Sequence, residues 1–214
     1  MNDLGNWPIL NLECVYHIGE LDPSKKGVRG PSYEGNGLSV STNPEAWEEI
    51  AELGGLPWWR LECSGASFLD FHALSPDQKA TIAAWGEAHG LVHSTTLWKV
   101  EYHDDEMETT MVKRFETGVE AREEAEYLEV DPPTSEEGFR CTEMLLERMG
   151  WSNALADALD GAAMAYAEDV LGVDGVWWQD DLAPELLSAP RGVIFRERLQ
   201  LWSASIITDT TLML

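Results

Sequence analysis

Asp174-Gly175-Val176-Trp177-Trp178-Gln179-Asp180-Asp181 is the stretch whose reading decides the fold. A glycine opens an apolar run of strand length, and two adjacent carboxylates close it. Two consecutive tryptophans beside two acids set large flat rings next to negative charge. One reading is an edge strand whose Trp177 or Trp178 packs in the core while the acids end the strand. The other is a strand end that carries an acid into a site. Downstream, Ser188-Ala189-Pro190-Arg191-Gly192-Val193-Ile194-Phe195 is a Pro-containing loop that runs into a second apolar strand. Upstream, Leu155, Leu159, Ala162, Ala163, Tyr166 and Val170 recur at helical spacing over 153–171, and Gly172 stops that helix.

Working outward, 214 residues suit one domain, and 44% hydrophobic residues with ten tryptophans suffice for a core. The charge is the outlier: 39 acids against 14 bases give a net of −25. Such a surface repels phosphate backbones and disfavours a nucleic-acid grip built on Lys and Arg, short of a small basic pocket. It fits a soluble cytoplasmic enzyme, a halophilic surface, or a mimic of DNA that occupies basic proteins. Cys14, Cys63 and Cys141 are widely spaced without a C-x-x-C pair, which points to free thiols in a reducing cytoplasm. The first residues carry no basic and apolar signal pattern, and no run approaches the roughly 20 apolar residues of a membrane span.

Residues 12–19 read as a strand, 20–36 as a long Gly- and Pro-containing loop, and 37–42 as a half-buried strand alternating apolar and hydroxyl side chains. Asn43 is placed to cap a helix with Pro44 at its first position, Trp47, Ile50 and Ala51 inward, and Gly54 as its stop. Strands are expected around 57–63 and 66–71. Ser75-Pro76-Asp77-Gln78 is a capping box for a helix ending at Gly90. Further strands are expected at 94–103 and 109–115, then an acidic helix over 117–129 and a short amphipathic one over 139–149. Seven or eight strands with four or five helices, not strictly alternating, predict an α+β fold. The expected organisation is a single domain over 1–214 with an acidic helical insertion at about 104–150.

Several chemistries find no support. There is no G-x-G-x-x-G, no G-x-x-x-x-G-K-[ST] and no G-x-S-x-G. The five histidines form no H-x-H or H-E-x-x-H, and Gly90 separates His89 from His93, so no metal site is expected. His17 stands out because it closes a strand and precedes Ile18-Gly19. Alone, a strand-end histidine is most often a hydrogen-bonded structural residue. Together with Gly37-Leu38-Ser39-Val40-Ser41 and Trp177-Trp178-x-Asp180, it suggests a site assembled from three strand ends.

The order Tyr16-His17-x-Gly19, Gly37-Leu38-Ser39-Val40-Ser41, Gly175-Val176-Trp177-Trp178-x-Asp180 and Leu187-Ser188-Ala189-Pro190-Arg191-Gly192 resembles compact bacterial and phage members of the ADP-ribosyltransferase superfamily. The likeness covers roughly the first 55 residues and 174–195, and leaves the middle uncovered. It implies a split β-sheet with peripheral helices and NAD, as co-substrate, in its cleft. By the same resemblance His17 and Gly19 are NAD contacts, Ser39 or Ser41 supports the pocket, and Asp180 is the catalytic acid beside His17. Many members carry Glu, often as E-x-E, where this chain has Asp180-Asp181. Glu20 also replaces the family's small hydroxyl residue, so Asp181 as the acid and a non-catalytic member both stay open.

The chemistry stands beside the label. Cleaving the nicotinamide–ribose bond develops positive charge on the sugar, much as in glycoside hydrolysis. A fixed carboxylate stabilises that charge or orients the nucleophile, and an imidazole can donate to the ribose while staying neutral at physiological pH. Trp47, Trp177 or Trp178 could stack on nicotinamide, with core packing the better account of at least two of them.

The expectation is therefore a cytoplasmic NAD-dependent ADP-ribosyltransferase, a bacterial or phage effector or toxin. Its acidic surface favours a protein acceptor over nucleic acid, and a cognate antitoxin or inhibitor would suit it. The alternatives are an acidic binding or inhibitor protein, such as a DNA mimic, on a non-catalytic scaffold of that type, and an NAD glycohydrolase.

Overall fold

A computed structural model describes residues 4–21, 37–104, 109–151, 158–183 and 188–207. The chain is mixed α+β with two sheets. The larger holds β1 (Ile9–Asn11), β2 (Cys14–Ile18), β3 (Gly37–Ser41), β4 (Trp58–Glu62), β5 (Ser67–Asp70), β9 (Gly175–Trp178), β10 (Arg191–Phe195) and β11 (Ser203–Ile207), in the order β1-β5-β9-β10-β3-β2-β4-β11. The smaller holds β7 (Thr109–Phe115), β6 (Val92–Asp104) and β8 (Thr134–Cys141), with β6 in the centre. The expected strand over 12–19 is β2; β1, over 9–11, precedes it and is separated from it by a bend at Leu12-Glu13.

That bend shapes the large sheet. β1 pairs with β5 and β2 with β4, while the connectors stay together through Leu12 N–H to Ala66 O (3.2 Å) and Cys63 N–H to Glu13 O (3.0 Å). One kinked two-stranded ribbon thus contributes to both ends of the sheet, which must curl to accommodate it. Trp202, just before edge strand β11, accordingly reaches Phe68 on β5, with ring centroids 6.1 Å apart. The inner face holds Val15, Leu38, Val40, Leu61, Phe68, Trp177 and Ile194 around these rings. The weakest seam is β2 against β3, where Tyr16–Ser41 is the one Cα pairing among the described residues. β9 and β10, by contrast, pair along four positions, and β10 and β3 along five.

Glycines allow close approach inside that second group. A Cβ on Gly175 would lie 2.0 Å from Val193 O, and one on Gly192 would lie 2.3 Å from Trp177 Cε3. Neither position can carry a side chain without movement of its neighbours, which explains the Gly ahead of the apolar run in each of these two strands.

The outer face packs on α2 (Pro76–Ala88) and α5 (Ala158–Tyr166), the latter continuing as a π-helical turn over Ala167–Leu171. Ser75 and Gln78 cap α2 reciprocally, as the sequence predicts. Small residues on α5, among them Ala162, Ala163 and Ala165, let it lie close over Val176, Trp178, Val193 and Phe195. Residues 153–157 of the expected helix lie outside the described residues, as do residues 22–36 of the expected loop.

α1 (Pro44–Ile50) buries Pro44 and Ala46 rather than the expected Trp47, Ile50 and Ala51, which stay half-buried. It stops short of Gly54 because Glu52 takes the left-handed conformation (φ 52°). The Asn43 side chain caps nothing; its backbone N–H donates to Ser41 Oγ instead.

Over about 104–150, where an acidic helical insertion is expected, the described residues hold strands β7 and β8 as well as helices. β6 is long enough to join two cores: its first half packs Val92 with α2 and α5, and its second half packs Val100 under α3 (Gly118–Leu128). Residues 139–141 belong to β8, and α4 (Glu143–Met149) begins only after Thr142, whose hydroxyl accepts from Leu145 N–H. No helix among the described residues is long and apolar enough to cross a membrane.

Candidate functional site

His17 sits where β2 parts from β3. Its Nδ1 lies 2.8 Å from Ser39 O. A carbonyl only accepts, so Nδ1 carries the proton and the neutral ring presents Nε2 as an acceptor. The side chain thus occupies the place where continued ladder pairing of β2 with β3 would put a backbone donor. His17 is 4% exposed, and its Nε2 has no hydrogen-bond partner. Burial pushes the imidazole below its usual pKa; the backbone groups of Ser39 and Glu20 oppose this to a smaller degree. The ring is therefore neutral at pH 7, with Nδ1 fixed on the Ser39 carbonyl and Nε2 beside the Glu20 backbone, too poorly aligned with it for a hydrogen bond of normal geometry.

Gly19 adjoins that nitrogen. A Cβ there would stand 3.3 Å from Nε2, and the backbone is left-handed (φ 132°), so glycine permits the turn and spares the ring a tight contact. Its backbone groups are occupied, since N–H donates to Pro57 O (2.9 Å) and O accepts from Trp59 Nε1 (3.0 Å). Gly19 thus shapes the surroundings of His17 with its N–H committed, while its carbonyl keeps a second lone pair.

Ser39 contributes through the carbonyl that orients His17. The buried Ser41 hydroxyl donates to Pro190 O (2.6 Å) and accepts from Asn43 N–H (3.0 Å). It clamps the loop before β10 to the start of α1, a structural duty that uses both its functions. Trp47 is half-buried on α1 and belongs to none of the three hydrophobic clusters. Trp177 and Trp178 are 1% and 2% exposed, with indole N–H groups donating to Gln179 (3.1 Å) and Asp160 (2.9 Å). These two are core residues, which leaves Trp47 as the candidate for stacking.

Asp180 lies elsewhere. Tyr16–Ser41, Ser41–Arg191 and Arg191–Trp178 are successive register partners, so these four share the outer face. His17, next along from Tyr16, points to the other side. The Asp180 carboxylate is ion-paired with Arg191, whose guanidinium lies 5.3 Å over the Trp178 ring, and His72 Nε2 is 3.6 Å away. The structure does not bring Asp180 and His17 together. Sequence reading had no means of finding the Arg191 partner, because the pairing depends on the β9–β10 register.

Among the described residues no group of three or more His, Cys, Asp or Glu side chains is gathered as a metal site. Trp202 Nε1 is a second buried polar atom without a partner. Comparison of the chain with protein-family models, with curated proteins and with solved structures gives no match.

Proposed function

We propose that the chain binds NAD at the parting of β2 and β3 and transfers ADP-ribose to a macromolecule, a protein in preference to nucleic acid. The observation that carries this reading is the unsatisfied Nε2 of His17. An unpartnered buried nitrogen costs about 1–3 kcal/mol, and a ribose hydroxyl donating to it would remove that cost on binding. The proton on Nδ1 makes His17 an acceptor toward the sugar, reversing the sense in which the imidazole would act as a donor. The Ser39 carbonyl holds the ring, the seam of β2 and β3 must open locally to admit the sugar to the enclosed Nε2, and Trp47 offers a flat apolar surface. The reduced β2–β3 seam is in keeping with the split sheet that the resemblance implies. NAD supplies the electrophilic ribose carbon and nicotinamide as leaving group.

The position of Asp180 favours a second reading. A carboxylate neutralised by Arg191 on the outer face is poorly placed to stabilise charge beside His17. A non-catalytic NAD-binding or acidic binding protein on the same scaffold would show this arrangement. Incubating the protein with labelled NAD in cell lysate separates the readings: label on a macromolecule means transfer, nicotinamide without label means hydrolysis, and NAD bound intact means a binding protein. Absence of any NAD interaction overturns the NAD reading altogether.

A further inference from the structure

His17 Nε2 is enclosed, so whatever reaches it needs a movement, and the large sheet is unevenly fastened. β2, β4 and β11 form one group, with five register pairs at each of its two interfaces. β1, β5, β9, β10 and β3 form another, with three to five pairs at each interface. Between the groups, the β2–β3 seam has the single pair Tyr16–Ser41 among the described residues.

The two ends of that seam are held differently. Toward the bend, the chain passes between the groups at residues 12–13 and again at 63–66, and the two passages are bonded to each other. Trp202, just before β11, also packs edge-on against Phe68 of β5 there. Away from the bend, the ladder stops at Tyr16, and the bond from His17 Nδ1–H to Ser39 O takes its place. α1 goes with the first group, because Trp58 Nε1 donates to Glu48 Oε1 (3.2 Å), and its start is tied to Ser41 at the last ladder pair. Packed units part along the boundary where the fewest backbone bonds must break. Here that boundary runs between residues 16–18 and 39–41.

We propose that β2, β4 and β11, with α1, form a leaf that swings on the ribbon of residues 12–13 and 63–66, parting Tyr16 from Ser41 and releasing His17 from the Ser39 carbonyl. The open form presents Nε2, which the closed form covers. That NAD is what enters rests on the function proposed above; the opening rests on the strand pairing alone.

Diethyl pyrocarbonate, which acylates neutral imidazole, is the probe, with peptide mass mapping to assign the sites. His72, His89, His93 and His103 are exposed and should react at once, whereas His17 reacts only from an open form. In the wild type the His17 rate should stay level in low urea, since a local opening exposes little surface; passage through global unfolding would make it climb steeply. Two disulfide variants, both built on Cys14→Ser, locate the opening. Tyr16→Cys/Ser41→Cys joins the register partners across the seam. Once oxidised it should slow His17 at least tenfold, with the rate restored on reduction. Tyr16→Cys/Arg60→Cys ties β2 to β4 within the leaf and should leave the rate unchanged. Reaction of wild-type His17 only with the urea dependence of global unfolding, or equal rates in the two oxidised variants, would overturn the proposal. The first of these outcomes needs no variant to fold. NAD is absent throughout, so an opening without NAD binding counts against the NAD reading alone.

Discussion

Replacing His17 by Leu and by Ala tests whether Nε2 is truly unsatisfied. Leu keeps most of the ring's volume but forfeits the bond to Ser39 O, a loss of about 1 kcal/mol, with some further cost at the carbonyl. Against this, removing a buried nitrogen without a partner returns about 1–3 kcal/mol. The two nearly cancel, so His17→Leu should lie within about 1 kcal/mol of wild type at pH 7.5. His17→Ala makes the same polar changes and leaves a cavity, adding about 2–3 kcal/mol of destabilisation. Urea unfolding monitored by tryptophan fluorescence gives both values, provided m is unchanged. The pH dependence supplies an independent check. Burial lowers the folded-state pKa of His17 below the unfolded value of about 6.5. Above that pH both states are neutral; below it the unfolded chain takes up the proton first, so stability falls as pH drops, at up to about 1.4 kcal/mol per unit. Wild type should lose stability between pH 6.5 and 5 relative to His17→Leu. If His17→Leu is as damaging as His17→Ala, and the pH curves of wild type and His17→Leu run parallel, Nε2 has a partner and the reasoning fails.

Further expectations follow from the packing. Gly175→Ala should destabilise by at least about 2–3 kcal/mol in the same assay, because its Cβ meets backbone at 2.0 Å. Glu129 ends α3 in the left-handed conformation (φ 55°), so Glu129→Gly should stabilise by about 1 kcal/mol, seen as a higher Tm. Asp180→Ala leaves Arg191 partly buried without its carboxylate and should cost about 1–2 kcal/mol, discounted for partial exposure. A loss of activity in that variant therefore needs a thermal melt beside it. Trp178→Phe removes the indole bond to Asp160 Oδ2 and should cost about 1 kcal/mol by chemical denaturation.

The sequence was most legible where local chemistry is self-sufficient. Ser75 and Gln78 announce α2 because the cap is made within one turn. The Trp177-Trp178 run reads as a strand because both of its faces are buried. β8 was hidden, since Thr134-Ser135-Glu136-Glu137-Gly138 has no apolar alternation and becomes a strand through its ladder with β6. The bend at Leu12-Glu13 was equally invisible, being fixed by Ala66 and Cys63 some fifty residues away. The candidate site shows the same division. His17 could be picked out as a strand-end imidazole, but its burial and its bond to the Ser39 carbonyl come from strand pairing that spacing does not reveal. Which way Asp180 faces depends on the pairing of three strands, and residue spacing carries no information about it.

NAD binding by purified wild type and His17→Leu, read by saturation-transfer NMR and by nicotinamide release, tests the central claim most directly. The account expects NAD to bind the wild type, and affinity to fall at least tenfold in a variant whose fold and stability are retained. Equal binding by both proteins, or none by the wild type, would contradict it.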